Sequence, residues 1–310
     1  MNDAPLGLLV MAYGTPRSPA EIEPYYTHIR RGRPPTPELL AELTARYDAI
    51  GGISPLAERT EAQRAALARA LEERMPGRFT VVLGQKHAAP FIEDAVADLA
   101  ASGVRDAVGL VLAPHYSGFS VGEYQRRATE AGASRDLRLH PIEHWHLEPA
   151  HLDFLAGAVS DARATLPAAH KVLFTAHSLP ERVLVDDPYP DELRESAAAV
   201  AERVGMGPWP DWALAWQSAG RTPEPWRGPD VLQVIRDLAA TGRAEGVLVC
   251  AQGFTSDHLE VLYDLDIEAA GVATEAGLAF ARTRSINDDP TVMAALADRV
   301  VRRMADAGVR

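Results

Sequence analysis

Residues 171–181, Lys-Val-Leu-Phe-Thr-Ala-His-Ser-Leu-Pro-Glu (KVLFTAHSLPE), decide how the rest of the chain is read. Val172-Leu173-Phe174 is a short apolar run, partly β-branched or aromatic, which suits a fully buried strand of a parallel sheet. The character then changes within one residue: Thr175, His177 and Ser178 are polar, and Pro180 stops the strand. Open α/β sheets bind their ligands beyond the carboxyl ends of strands, so His177 stands where chemistry is done. The plainer reading is that its imidazole caps the strand by hydrogen bonding.

Working outward, similar runs alternate with helical patterns in both directions. Leu8-Leu9-Val10 leads into Met11-Ala12-Tyr13-Gly14-Thr15-Pro16. Helices are predicted over 37–47, 57–74, 91–101, 152–165, 191–204, 231–241, 256–270 and 291–307, and further strands over 80–83, 107–112, 213–216 and 246–250. Strand–helix alternation of this kind predicts an α/β fold of parallel sheets with right-handed crossovers. The chain also echoes itself. LLVMAYGTP from Leu8 resembles VLFTAHSLP from Val172, and LVLAPHYSGFSVGEY from Leu110 resembles VLVCAQGFTSDHLEV from Val247. The expected architecture is therefore two similar Rossmann-like domains, each a parallel sheet flanked by helices, with a ligand cleft between them. Their boundary is expected near Pro141–Pro149, giving domains 1–145 and 146–310, with the helix in 290–310 packing back on the first. No G-x-G-x-x-G follows a strand and no G-x-x-x-x-G-K-[ST] occurs, so nucleotide fingerprints are missing.

Composition narrows the class. The chain has 310 residues, enough for two cores, and a net charge of −12 that repels nucleic acid over most of its surface. Its longest basic run, Arg30-Arg31-Gly32-Arg33, is a local exception that reads either as a solvated helix end or as an anion anchor. A single cysteine, Cys250, leaves no internal disulfide and no four-cysteine zinc or iron–sulfur site, and it reads as a buried small apolar residue. No uncharged apolar stretch of about eighteen residues occurs, and the first residues lack a basic leader region. A cytoplasmic protein without a membrane span is expected.

The second informative stretch is Asp257–Glu268. Glu260, Asp264 and Glu268 follow at intervals of four, so one helical face presents a column of carboxylates. Like charges at that spacing disfavour an isolated helix, and a solvated surface column is the bland account. The functional account is a line of oxygen ligands or proton carriers, kept in register by a π-type turn. An imidazole at His177 with a carboxylate at Glu260 would hold a borderline divalent metal loosely enough to hand it on.

VMAYGTP (10–16), YYTHIRRGR (25–33), RYDAIGGISPL (46–56), APFIEDAV (89–96), LAPHYSGFSVGEY (112–124), TAHSLPE (175–181), GRTPEPWRGPDV (220–231) and GFTSDHLEVLYDLDIE (253–268) together resemble the ferrochelatase family. The resemblance covers nearly the whole chain in order. It is nearest to the soluble bacterial branch that inserts Fe²⁺ into coproporphyrin III in haem synthesis. What it implies is a chelatase-like fold and a metal chelatase that releases two protons per turnover. His177 and Glu260 would be catalytic and would bind the incoming metal on one face of the ring. Asp264 and Glu268 would line a metal or proton route, and Tyr13, on the other face, would be an axial ligand in the product. Tyr13, Arg30, Arg46, Tyr47, Ser54 and Tyr124 would contact the substrate's rim and propionates.

The family further implies no permanently bound cofactor or iron–sulfur cluster, since iron is a substrate. It implies a monomer without membrane or nucleic-acid partners, with transient docking of a downstream haem-synthesis enzyme. Tyr13, and an end at Arg310 without a membrane-associating or cysteine-bearing extension, favour coproporphyrin over protoporphyrin IX. A cobalt or nickel chelatase of a sirohydrochlorin-type ring and a non-catalytic porphyrin carrier are the remaining alternatives.

The physical demands agree with this reading. Metal insertion needs a base near pH 7 and a bent ring, and arginine forks suit propionates. His140, His144, His146 and His151 fit no standard zinc spacing and are expected at a surface or hinge. Trp209, Trp212 and Trp216 are expected in the core or an interface, and Trp226 in a pocket wall. Lys86 and His87 end a predicted strand, their roles open.

Overall fold

A computed structural model describes residues 4–207 and 210–309; Trp209 and Arg310 lie outside the described residues. The chain forms two compact units, one of 1–113, 119–144 and 287–310, the other of 114–118 and 145–286.

In the first unit, β1 (Leu6–Ala12), α1 (Ile22–Ile29), α2 (Pro37–Ala49), α3 (Leu56–Arg74), β2 (Phe79–Gln85), α4 (Ile92–Ala101), β3 (Asp106–Val111), α5 (Val121–Ala133) and β4 (Arg138–Ile142) follow in order. The second unit continues with α6 (Pro149–Arg163), β5 (His170–His177), α7 (Tyr189–Arg203), β6 (Trp212–Gln217), α8 (Val231–Thr241), β7 (Gly246–Cys250), α9 (Leu259–Leu262), a π-helical segment (Asp264–Ala269), α10 (Ala270–Glu275) and β8 (Ala279–Arg282). The last helix, α11 (Pro290–Asp306), belongs to the first unit and packs on α3, β3 and β4.

Each unit holds a four-stranded, all-parallel sheet, ordered β2-β1-β3-β4 and β6-β5-β7-β8. The two orders are the same pattern, which gives the internal sequence echo its structural counterpart. Central strands carry the apolar runs because both of their faces are covered: every residue of β1, β3 and β7 is buried. In each sheet the order reverses between the first and third strands, and that switch point is where open α/β sheets bind ligands. Tyr13 follows β1, His177 ends β5, and Glu260 lies ten residues beyond β7, so each lies at or after the carboxyl end of a switch-point strand.

The helix expected over 256–270 runs instead from Leu259 to Glu275, as a short α turn, a π segment and α10. The structure also adds strands β4 and β8 and helices α1 and α5, which were not predicted. His146 and His151 are buried rather than at a surface, His151 completely. Cys250 and Trp216 are buried, as expected.

The loop after β7 approaches β5 closely. Gly253 donates its N–H to Thr175 O at 3.1 Å, and a Cβ there would come within 2.5 Å of Ala176 Cβ and 2.8 Å of its Cα. Backbone, not a flexible side-chain tip, would have to move. Gly253→Ala is therefore expected to destabilise the second unit by about 1–3 kcal/mol, the ordinary cost of overpacking, read as a lower urea midpoint.

Candidate active site

His177 is the last residue of β5, and its strand neighbour across the ladder is Gln217, the last residue of β6. Its Nδ1–H donates to Ser178 O at 2.5 Å, which fixes the tautomer: when the ring is neutral, the lone pair is on Nε2. Nε2 lies 3.6 Å from Glu260 Oε1. The other carboxylate oxygen, Oε2, lies 3.7 Å from His258 Nε2, so the carboxylate is bracketed by two imidazoles. Bonds of about 2.0–2.2 Å from a first-row metal to imidazole and carboxylate place two adjacent ligand atoms about 3.0–3.4 Å apart. The observed gap is within a few tenths of an ångström of that.

Partial burial would push the His177 pKa down, but the Glu260 charge and its hydrogen bond, with help from Ser178 O and Asp264, raise it to about 8. Burial acts on Glu260 in the opposite sense, raising its pKa, yet the pairing with His177 and His258 holds the carboxyl well below the usual range. At neutral pH the resting pair is thus imidazolium–carboxylate. Its contribution to stability is complete between the ordinary pKa values of the two groups and is lost as pH rises through about 8.

Glu260 sits in α9, the single α-helical turn that precedes the π segment. Glu268 N donates to Tyr263 O at 3.0 Å, an i→i+5 bond. Val261, Leu265, Ala269 and Ala273 recur every four residues and are all fully buried in one apolar cluster. Four residues of α-helix overshoot a full turn by about 40°, so a strict four-residue stripe drifts off its face. Widening the turn offsets that drift, and the adjacent column Glu260, Asp264, Glu268 stays aligned with it. Within the column the environments differ. Asp264 is buried and accepts from Ser218 Oγ, whereas Glu268 is exposed. Asp266, off the column, is clamped by Arg282 at 2.6 and 2.9 Å.

The first-unit candidates divide by exposure. Tyr13 is 43% exposed, and its ring stands 4.6 Å from that of His87. His87 Nδ1 is 3.0 Å from His28 Nδ1, and burial, with the charges of Lys86, His28 and Arg127, pushes the His87 pKa down to about 3. Lys86 is paired with Glu123 at 2.6 Å. Arg30 is half-buried and bonds Arg33 O, and Arg46 is half-buried on α2. Tyr47, Ser54 and Tyr124 are buried. The Ser54 hydroxyl accepts from Leu56 N at 3.2 Å at the start of α3, and the Tyr124 ring lies 5.3 Å from the Lys86 ammonium.

Among the described residues, several neighbours of the His177–Glu260 pair went unread in the sequence. Tyr189 OH donates to His177 O at 3.3 Å, Gln217 Nε2 donates to Glu260 O at 3.0 Å, and Ser218 bonds Asp264. Only strand register could have pointed to Gln217 and Ser218.

The ferrochelatase family model matches residues 5–304. The chain belongs to the ferrochelatase family. Coproporphyrin III ferrochelatase of Halalkalibacterium halodurans is 45% identical, with 99% of each chain covered. The Bacillus subtilis protein of the same name is 44% identical over 98% of this chain and 99% of its own. Among solved structures, SirB from Bacillus subtilis with Fe³⁺ superposes with a TM-score of 0.57 at 13% identity, covering 98% of this chain and 97% of that one. CbiX, described as the terminal enzyme for sirohaem biosynthesis in denitrifying bacteria, gives 0.53 at 15% identity over 96% and 98%. At such identities these two neighbours show a shared fold. No helix among the described residues is long and apolar enough to cross a membrane.

In Glu260→Gln the charge is gone and burial acts on the imidazole with little opposition. The His177 pKa, followed by NMR of the imidazole protons, is expected to fall from about 8 to below 6.5.

Proposed function

We propose that this ferrochelatase-family chain inserts Fe²⁺ into coproporphyrin III, giving Fe-coproporphyrin III and two protons. The observation that carries the chemistry is the convergence of His177 Nε2 and Glu260 Oε1 at 3.6 Å beside the switch-point strands of the second sheet. The full-length relatives named coproporphyrin III ferrochelatase, at 43–45% identity, support the choice of ring.

Iron is a substrate here, and the two side chains hold it transiently. Imidazole nitrogen and carboxylate oxygen together suit ferrous iron, which lies between hard and soft cations. Two ligands are few enough to release it. As the metal approaches, its charge favours the deprotonated imidazole, so Nε2 gives up its proton through the carboxylate column to solvent and exposes a lone pair. Insertion then frees two pyrrole protons, which pass to the neutral imidazole and to the carboxylate column. Asp264 and Glu268 continue that column, one buried and one exposed, as a path between site and solvent.

Arg30 and Arg46 anchor propionates, with Tyr47, Ser54 and Tyr124 shaping the rim, and Tyr13 provides a phenolate to the inserted iron. Four propionates make coproporphyrin water-soluble, which matches a protein that needs no lipid contact. Binding around the ring's edge supplies the energy that bends it towards the metal.

In an anaerobic assay with ferrous iron, His177→Ala and Glu260→Ala are each expected to lower kcat by about 100-fold or more, with coproporphyrin III still bound. Insertion at the wild-type rate by His177→Ala would overturn the mechanism. Faster turnover of protoporphyrin IX than of coproporphyrin III would overturn the choice of ring, and binding of both without insertion would make the protein a carrier.

A further inference from the structure

The His177 imidazole and the Glu260 backbone are joined by three consecutive hydrogen bonds, and Gln217 supplies two of them. His177 Nδ1 donates to Ser178 O at 2.5 Å, Ser178 N donates to Gln217 O at 2.8 Å, and Gln217 Nε2 donates to Glu260 O at 3.0 Å. Strand pairing places Gln217 directly beside His177. Its side chain is 1% exposed, and its Oε1 is buried without a hydrogen-bond partner. A carbonyl can only accept, so the amide nitrogen must face Glu260 O, and the orphaned oxygen is the penalty tolerated for that orientation. An unmade buried acceptor costs about 1–3 kcal/mol, so a residue of this kind persists where its donor serves a purpose.

We propose that Gln217 is a positioning residue that sets the gap between the His177 imidazole and the Glu260 carboxylate. It acts through Glu260, not on the substrate, and the proposal rests on the metal-handling role given above to that pair. The short α turn of Leu259–Leu262 is followed closely by the π segment, so regular α-helix ends two residues beyond Glu260. The amide ties the start of that turn to the end of β6, and Ser178 ties the same strand end to His177. Strand β6 therefore serves as the common reference for both ligands. Ser178 is held in turn by its own hydroxyl, which donates to Arg227 O at 2.7 Å.

The test is a double-mutant cycle of Gln217→Met with Glu260→Gln, read as separate kinetic constants for ferrous iron and porphyrin. Methionine matches glutamine in length and lacks the donor, so the core volume is kept. In the wild-type background, Gln217→Met is expected to raise the KM for iron about tenfold, as a displaced ligand would. The porphyrin Kd, from fluorescence quenching, should stay within about twofold, and the urea midpoint should hold. In the Glu260→Gln background the same substitution should add nothing. Gln217→Glu, similar in shape and without the donor when ionised, should repeat the loss and serves if the methionine variant fails to fold. Failure of both to fold would make Gln217 a folding residue and overturn the proposal. Equal penalties in both backgrounds, or a porphyrin Kd that moves with the iron KM, would overturn it too. Wild-type insertion by Glu260→Gln alone would instead sink the role assigned to Glu260, a separate outcome.

Discussion

One contact governs the electrostatics of the candidate site: a partly buried imidazole facing a carboxylate across 3.6 Å. Loss of solvent penalises either charge alone, and each charge removes the other's penalty. The pair consequently rests as imidazolium and carboxylate, with the histidine titrating near pH 8. That state is poor as a base and poor as a ligand. Under the proposed function, an arriving divalent cation would perform the deprotonation that neutral pH leaves undone. The Nδ1 bond to Ser178 O matters for the same reason: it commits the ring's only available lone pair to the side where Glu260 stands.

The placement of that contact follows from sheet topology. Both sheets order their strands alike, and the parallel central pair β5 and β7 carries His177 and the loop to Glu260 at the same, carboxyl end. Register decides which face each side chain takes, and it sets His177 of β5 opposite Gln217 of β6. Gly253 adds a second constraint by letting the post-β7 loop lie against Ala176 where no larger residue fits. His177 and Glu260 thus come from segments separated in sequence but brought together at the end of one strand pair.

Much of this was legible in the chain itself. Val172–Phe174, Leu8–Val10 and Gly246–Cys250 read as strands because central parallel strands are apolar on both faces. The edge strands β2 and β6 read as strands, whereas the edge strands β4 and β8 did not. Arg138–Ile142 contains Pro141 and is half-exposed, and Ala279–Arg282 is only four residues long, with small alanines flanking its one large apolar residue, Phe280. Helix α5 carries Glu123, Gln125, Arg126, Arg127 and Glu130 among few large apolar residues, which hid its pattern. His146 and His151 misled for another reason: histidine carries no signature of burial, and His151 lies next to Trp145 in a core that only tertiary packing creates. Around the site, the carboxylate spacing foretold the π segment, whereas Tyr189, Gln217 and Ser218 come from other strands and helices and left no local mark.

The carboxylate column shows why four-residue spacing is worth its cost. Like charges one turn apart disfavour a helix, and a π turn gives up regular α-helical bonding. Both costs are borne by a segment whose apolar side, Val261, Leu265, Ala269 and Ala273, is anchored in the core at the same four-residue interval. The apolar and acidic stripes run in step, so the packing that stabilises one fixes the other. Charge is distributed with equal care. Asp266, which falls between them, is neutralised by Arg282, and Asp264 is bonded by the neutral Ser218 hydroxyl. The two carboxylates thus differ in partner, a guanidinium for the exposed one and a hydroxyl for the buried one.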